Sequence, residues 1–231
     1  MVRTVKPIAA NTSGRGVARA RSQQPSAAPL PAAMTAIRTL KDEHLAIASV
    51  LFGLRLAVGR IRDDGVAPDF RLLQALLDYI VAFPERLHHP KESRHLFAAL
   101  ASRSPQARKL TDALDAEHGR GATLIASLQA SLDAYRREPQ ALDAFARSVD
   151  AYAEFHGQHM EKEESLLFPL ALKHLVASDW ERIAAAFLEN DNPLHGIRPK
   201  REVESLFVRI LNLLPEAPAA RAGKSRPPGS R

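Results

Sequence analysis

Apolar side chains recur every three or four residues along most of the chain, and this spacing is the period of one face of an α-helix. The first such stripe starts after Met34 and extends to about Arg62, where an Asp-Asp-Gly sequence is typical of a helix end. Its members are Ile37, Leu40, His44, Ile47, Leu51, Leu54 and Val58. The pattern predicts one long amphipathic helix in this region.

A second helix is predicted from Pro68 to about Leu100 by a broad apolar face. Pro84 and Pro90 lie inside it, and an internal proline removes a backbone donor and clashes with the preceding turn. We therefore expect kinks in this helix, and the period alone does not determine the register through them.

Two more long helices follow, and each has a proline near its start. The Ser104-Pro105 pair supplies a cap and a first-turn proline to a helix that is predicted to end near Arg137. A fourth helix is predicted from Pro139, and its stripe is the most regular in the chain. The stripe consists of Leu142, Phe145, Val149, Tyr152, His156, His159, Glu163, Leu166 and Leu170. Polar side chains thus interrupt an otherwise apolar seam.

Shorter helices are predicted in the C-terminal part of the chain. One is expected from about Ser178 to Glu189, and a final amphipathic helix is expected around residues 203–210. Four long helices with short connections pack in alternating directions. The predicted fold is therefore all-α: an up-down antiparallel four-helix bundle over residues 34–175, with additional C-terminal helices over residues 176–215.

Composition supports this class, because apolar residues make up 45% and aromatic residues only 6% of the 231 residues. The chain has no cysteine, which excludes disulfides, thiolate zinc sites, iron-sulfur clusters and a cysteine nucleophile. Any metal must therefore be held by nitrogen and oxygen atoms. No uninterrupted apolar run of about 18 residues is present, so we expect no membrane span and a cytoplasmic protein.

The net charge of +6 is located at the two ends of the chain. Residues 1–33 contain five basic residues and no acidic one, and residues 216–231 carry a net charge of +3. Subtracting both from +6 leaves about −2 for the central body. We interpret the ends as a disordered basic leader and a disordered basic tail. No recognition motif accompanies them, so no specific nucleic-acid partner is expected.

Two other interpretations of the leader stay open. Translation starting at Met34 would remove it, and an Arg-rich segment without acidic residues also resembles an organelle transit peptide. The sequence does not indicate an oligomeric state.

Histidine and glutamate occur on the predicted inward stripes as an ordered series. The first and third helices each contribute one histidine, and the second and fourth each contribute a pair with HxxxE spacing. Residues four apart lie on one helix face, so each pair can offer an imidazole and a carboxylate to the same region. The series consists of His44, His88, Glu92, His118, His159 and Glu163.

These six side chains are predicted to meet at one level of the bundle. If the helices alternate in direction, a site early in the first helix falls late in the second, early in the third and late in the fourth. Burying two carboxylates there would cost several kcal/mol without compensation, and a pair of cations provides it. Glu92 and Glu163 can each bridge two metals, with imidazoles as terminal ligands. This donor set favours iron over manganese or zinc.

The same residues with their neighbours resemble the hemerythrin-like family of HHE cation-binding domains, over about residues 37–175. The motifs that carry the resemblance are Asp42-Glu43-His44, His88-His89-Pro90-Lys91-Glu92, Glu117-His118, His159-Met160-Glu161-Lys162-Glu163-Glu164 and Phe168-Pro169. The resemblance implies two iron ions, bridged by the two glutamates and an oxo or hydroxo group. It also implies a small diatomic partner, O2 or NO, and a centre that can change its redox state.

One position departs from the family pattern. Oxygen-carrying hemerythrins have a two-histidine HxxxH motif on the third helix, and here the second position is Ala122. Reversible oxygen carriage is therefore disfavoured, and the resemblance points to roles of histidine-poor bacterial relatives in iron handling, nitrosative stress or sensing. The alternative is a di-iron oxidoreductase that removes peroxide, which needs the same ligands and a substrate channel.

Two further histidines are candidates for the site. His89 is an alternative to His88, because the prolines blur the register, and His88 is preferred because its spacing to Glu92 repeats in the fourth helix. His156 lies on the fourth stripe and is a candidate for a further ligand or for a side chain that supports the ligands. Tyr152 is expected to be an interior tyrosine with a bonded hydroxyl.

The remaining polar residues near the motifs are expected to be solvated. Glu43, Glu117 and Glu164 adjoin candidate ligands, and two interpretations are open: contacts that support the ligands, or solvated helix faces, which we favour. His95, His174 and His195 have no comparable partners and are expected on the surface or in loops.

Overall fold

The structure is a computed structural model that describes residues 31–189, and every regular element within these residues is helical. The first element, α1 (Pro31–Asp63), is a single helix of 33 residues. It begins three residues before Met34, so residues 31–33 belong to the helix and not to the predicted leader. The buried face of α1 includes the whole predicted stripe except Ile37, which is half-buried.

The second helical stretch alternates between α and π geometry. Its parts are α2 (Phe70–Ile80), a π-helical segment (Val81–His88), α3 (His89–Lys91), a second π-helical segment (Glu92–Phe97) and α4 (Ala98–Arg103). Pro84 lies within the first π-helical segment, where the wider turn accommodates a residue without a backbone N–H. Pro90 lies in the short α3 between the two π-helical segments, so the helix departs from regular α geometry around both prolines.

The third and fourth stretches begin as predicted. Ser104 accepts a hydrogen bond from the backbone of Ala107 at the start of α5 (Pro105–Arg137). The fourth stretch consists of a 3-10 turn (Pro139–Ala141), α6 (Leu142–Lys162), a π-helical segment (Glu163–Leu167) and α7 (Phe168–His174).

One shorter helix follows, α8 (Ala177–Leu188), close to the predicted bounds. It packs against α1, and α1 also packs against α6. The final helix expected around residues 203–210 lies outside the described residues. So do residues 1–30 of the leader and the whole basic tail.

Two apolar clusters form the core, and a polar layer separates them. The first cluster contains the start of α1 and the end of the second stretch, together with Trp180 and Phe187 of α8. The second contains the later part of α1 and the start of the second stretch. α5 passes from the first cluster to the second, as α1 does, and the fourth stretch passes from the second to the first.

Within the described residues, α1 is the one helix that is long and apolar enough to cross a membrane by length and composition. Its most apolar window is 56% buried inside the protein. The apolar side chains of α1 are therefore largely used in packing against the other helices, as in a core helix.

Leu54 and Leu45 of α1 allow a direct test of this packing. Leu54 is 0% exposed and Leu45 is 65% exposed. We expect Leu54→Ala to lower the free energy of unfolding by about 2–5 kcal/mol, since it leaves a cavity. Leu45→Ala should change it by less than about 0.5 kcal/mol. Urea denaturation of both variants measures the difference, and equal losses would contradict this packing.

Candidate metal centre

The polar layer between the two apolar clusters contains all six residues of the predicted series. Each is buried, with His118 the most exposed at 9% and both glutamates at 0%. They come from all four helical stretches: α1, the two π-helical segments that contain His88 and Glu92, α5, and the fourth stretch. The six side chains therefore lie together at one level of the protein, as the sequence predicts.

The two carboxylates lie in the middle and the four imidazoles surround them. His88 Nε2 is 3.3 Å from Glu92 Oε2, and His159 Nε2 is 3.3 Å from Glu163 Oε1. His44 Nε2 is 3.3 Å from Glu163 Oε2 and 3.7 Å from Glu92 Oε1, so it faces both carboxylates. His118 Nε2 lies 3.6 Å from Glu92 Oε2. Every one of the four histidines thus directs its Nε2 atom inward.

These six residues form two groups that share both glutamates. One group is His44 and His88 with Glu92 and Glu163, and the other is His118 and His159 with the same two glutamates. In each group, one ligand atom from every residue lies within 4.8 Å of the others. The geometry therefore matches two adjacent cation positions with two carboxylates common to both.

The hydrogen-bond inventory of the glutamates shows that these positions suit cations. Glu92 and Glu163 have four carboxylate oxygens between them, and none has a hydrogen-bond partner among the residues that the structure describes. His44 Nε2 is likewise buried without a partner. Buried polar atoms are nearly always paired, and an unpaired one costs about 1–3 kcal/mol. Bound cations would satisfy all of these atoms at once.

Three carboxylates hold the opposite sides of the imidazole rings. Their bonds to histidine Nδ1 atoms are Glu43 to His88 at 2.7 Å, Glu164 to His44 at 2.9 Å, and Glu117 to His159 at 3.0 Å. A carboxylate behind a metal-binding imidazole sets its tautomer and its orientation. The expectation that these three glutamates lie on solvated helix faces is therefore wrong for Glu43, which is buried, and incomplete for the two half-buried ones.

Sequence reasoning considered this role but disfavoured it, and it could not assign the partners because the bonds cross between helices. Glu43 precedes His44 in the sequence but bonds His88, and Glu117 precedes His118 but bonds His159. The adjacency of acid and histidine in the motifs was a signal that acids gather at this level. It could not show which histidine each acid would reach.

His118 is held differently, through Ser93 and Asp115. The Ser93 hydroxyl donates to a carboxylate oxygen of Asp115, and Ser93 Oγ lies 2.9 Å from His118 Nδ1. A hydroxyl has one proton and the carboxylate can only accept, so Ser93 must accept the Nδ1 proton of His118. This leaves His118 Nε2 without a proton, and it accepts a hydrogen bond from His159 Nε2 at 3.0 Å. Neither Ser93 nor Asp115 was identified from the sequence.

The carboxylates alter the protonation of two of these histidines. Burial disfavours the charged imidazole, but the adjacent carboxylate of Glu163 and the hydrogen bond with Glu164 outweigh it and raise the pKa of His44 well above its usual value. Glu163 likewise outweighs burial at His159, whose pKa rises to about 9. Burial, with the charge of His89, lowers the pKa of His118 to about 2.

The pKa values of the two adjacent carboxylates, Glu92 and Glu163, are shifted in opposite directions. Burial and the neighbouring charge of Glu163 raise the pKa of Glu92. For Glu163, burial is outweighed by the adjacent imidazoles of His159 and His44, and its pKa is lowered well below the usual range. Because two like charges repel at this distance, one carboxylate holds its charge at the expense of the other.

His88 and His89 both point into the interior, at 1% and 4% exposure. His88 faces Glu92, as its spacing suggested, whereas the ring of His89 stacks on that of His118 with centroids 4.3 Å apart. A nitrogen atom of His89 also lies within 4.8 Å of ligand atoms of His118 and His159. The second helix therefore directs two consecutive histidines to the polar layer, and they do not compete for one position.

His156 is buried one turn from His159, and its Nε2 atom lies 3.7 Å from Glu85 Oε1. The Tyr152 hydroxyl donates to Glu85 at 2.9 Å, so the prediction of an interior tyrosine with a bonded hydroxyl is confirmed. Glu85 itself was not identified from the sequence. His174 is half-buried at the end of α7 and His95 is half-buried in the second stretch, while His195 lies outside the described residues.

Ser93→Ala tests the orientation of His118. The variant removes the acceptor of the Nδ1 proton. The proton is then no longer held on Nδ1, and Nε2 is no longer kept unprotonated and directed toward the carboxylates. We expect the affinity for one of two metal ions to fall about 10–100-fold. Competition with a chelator measures it, and Ser102→Ala, an exposed serine of the same stretch, is the control. Identical affinities for both variants would contradict the tautomer assigned to His118.

The raised pKa values of His44 and His159 predict that metal uptake releases protons. Both imidazoles carry a proton at neutral pH in the metal-free protein, and a metal ligand needs the bare nitrogen. Since the pKa of His159 is about 9, this histidine releases a proton on metal uptake below that pH and has no proton to release above it. Calorimetry of zinc binding in buffers of different ionisation enthalpy counts the protons. A count that does not fall between neutral pH and the alkaline side of pH 9 would refute this protonation state.

Comparison with known proteins agrees with this geometry. The hemerythrin HHE cation binding domain matches residues 35–171 of the chain. Curated relatives include uncharacterized proteins of Mycobacterium bovis and Mycobacterium tuberculosis, which are 27% identical over 167 residues. The match covers 71% of this chain and 64% of the length of those relatives. Because the domain match extends over more than half of the sequence, the chain belongs to the hemerythrin HHE cation-binding family.

Proposed function

We propose that this protein binds two iron ions at the polar layer and uses this non-heme di-iron centre to bind O2 or NO, for sensing or for iron handling. The observation that carries the proposal is the set of four unpartnered carboxylate oxygens of Glu92 and Glu163 between two pairs of histidines. The family to which the chain belongs binds cations, which supports a metal in this position.

Each residue has a distinct role in the proposed centre. His44 and His88 would bind one ion, His118 and His159 would bind the other, and both glutamates would bridge them. Iron suits a donor set of imidazoles and carboxylates with open positions, and manganese or zinc suit it less well. Two iron ions with an oxo or hydroxo bridge supply reversible redox change and open positions for a small ligand.

The surrounding protein keeps these ligands fixed and dry. The ring of Phe97 stacks on His118 with centroids 5.3 Å apart, and that of Phe168 stacks on His44 at 5.9 Å. Apolar clusters on both sides exclude water, and a low dielectric strengthens the attraction between cations and carboxylates. The carboxylates behind the imidazoles hold the Nε2 atoms toward the centre.

The helix arrangement proposed with this function is an up-down four-helix bundle. Its support is the order in which each stretch enters the two apolar clusters, which reverses from one stretch to the next. We further propose a cytoplasmic protein without a membrane or nucleic-acid partner. The burial of just over half of the most apolar window of α1 and the negative charge of the central body support this.

A groove beside His44 favours the second candidate, a di-iron oxidoreductase that removes peroxide. The groove has a volume of about 620 Å³ and lies between α1 and the fourth stretch. Its lining includes Lys41, Met160 and Glu164 in addition to His44. A small substrate could approach the layer along this groove. Peroxide turnover above that of free iron would favour this enzyme over a binding protein.

Metal analysis of the purified protein tests the proposed centre. We expect about two irons per chain and the absorption of an oxo-bridged pair. Glu163→Gln should reduce iron to below about one per chain, because a neutral amide is a poor bridging ligand. Glu161→Gln, an exposed glutamate two residues away, should keep both irons. A folded wild-type protein that takes up no iron would refute the proposal.

A further inference from the structure

A surface groove follows α1 and the fourth stretch along most of the length of α1. Two cavities of about 620 and 560 Å³ lie along it, the first beside the polar layer and the second nearer the end of α1. The lining extends from Lys41 to Asp63, which is about 33 Å of helix. We call this surface the outer groove. Its apolar lining consists of Leu45, Ala48, Phe52, Leu56, Ala146 and Met160.

The apolar strip of the outer groove is open to solvent. Leu45 is 65% exposed and Phe52 is 56% exposed, and the two side chains lie two helical turns apart on one face of α1. Ala48 lies between them and is exposed too. Two ion pairs border the strip: Lys41 with Glu164, and Arg55 with Asp150. A continuous exposed apolar strip with a polar rim is typical of a docking surface.

The C-terminal part of the sequence supplies an apolar face of matching size. Eight of the twelve residues 203–214 are apolar. Spacings of three and four place several of them on one face of a helix: Val203, Leu206, Phe207, Ile210 and Leu214. A helix of this length is about 18 Å long, so it fits within the outer groove. It is also too short to be stable alone in water, and it needs a surface on which to pack this face.

The end of α8 brings this segment within reach of the outer groove. α8 packs against α1, and the Lys91 side chain donates to the backbone carbonyl of Ala186 near the end of α8. Lys91 adjoins Glu92 of the polar layer, and His44 of the same layer lines the outer groove. Residues 190–202 can span up to about 45 Å, whereas a helix such as α1 is only about 10–12 Å across.

Attachment to the same chain favours this segment over other occupants of the groove. A short flexible connection gives a tethered segment an effective concentration in the millimolar range. A second copy of the protein competes from solution at its own concentration, which is lower in any dilute sample. For contacts of equal strength, the segment of the same chain therefore occupies the groove first.

We propose that residues 203–214 form an amphipathic helix that docks into the outer groove of the same chain, with its apolar face against Leu45 and Phe52. The docked helix covers the approach to His44 along this groove. The proposal does not depend on a metal in the layer of Glu92 and Glu163, because the docking contacts are apolar and lie outside that layer.

Thiol labelling of the full chain tests the docking, and the lack of native cysteine makes each introduced thiol unique. Ala48→Cys places a thiol in the outer groove, and Ala126→Cys places one at an exposed position of α5 as the matched control. We expect a bulky maleimide to react at position 48 at least about 10-fold more slowly than at position 126, because labelling requires the helix to leave the groove.

Two substitutions in the segment identify it as the cause of the protection. Phe207→Glu places a charge on the apolar face and should raise the labelling rate at position 48 about 10-fold, to that of an exposed thiol. Asn212→Glu adds the same charge on the opposite, polar face and should leave the labelling slow. Thermal melting of every variant verifies that the protein folds.

Each of the other outcomes decides the proposal. Equal rates at positions 48 and 126 would overturn it, and so would slow labelling that Phe207→Glu leaves unchanged. Protection that disappears on dilution, together with a dimer in light scattering, would assign the groove to a second copy and overturn it too. Protection at position 48 in a folded protein that takes up no iron would uphold the docking and refute the di-metal centre.

Discussion

Two carboxylates, Glu92 and Glu163, are enclosed at the middle of the protein, and within residues 31–189 no hydrogen-bond donor pairs with their oxygens. Burying an unpaired carboxylate costs several kcal/mol, and here two carboxylates lie side by side. Positive charge is therefore needed around them, either as protons on His44 and His159 or as metal ions. The carboxylates raise the pKa values of both histidines, which favours the protonated imidazoles when no metal is bound.

The rest of the architecture follows from this layer. The two apolar clusters lie on either side of the polar layer, and their packing holds the helices together around its charged side chains. Each of the four histidines is held on its Nδ1 side by a group on a different helix: Glu43 for His88, Glu117 for His159, Glu164 for His44, and Ser93 for His118. Consequently the ligand geometry exists only when all the helical stretches are docked, and metal binding and folding are coupled.

The π-helical turns of the second stretch have a direct effect on the site. In a regular α-helix, adjacent residues point about 100° apart, so His88 and His89 would not both be expected on one buried face. The wider turns around the prolines change the register, and both side chains become buried. Similar turns begin at Glu163 in the fourth stretch, and π-helical turns are frequent at functional sites. The irregular backbone thus lies where the ligands are.

The sequence by itself determined the all-helical class, the extents of the helices to within a few residues, and the six side chains that gather at one level. Helical periodicity and HxxxE spacing are local properties, and a local pattern shows which side chains share a helix face. Only the tertiary structure decided which acid supports which histidine, that Ser93 orients His118, and that Glu85 lies between Tyr152 and His156. These contacts join different helices, and they depend on the depth and rotation of each helix in the packed core, which no local spacing specifies.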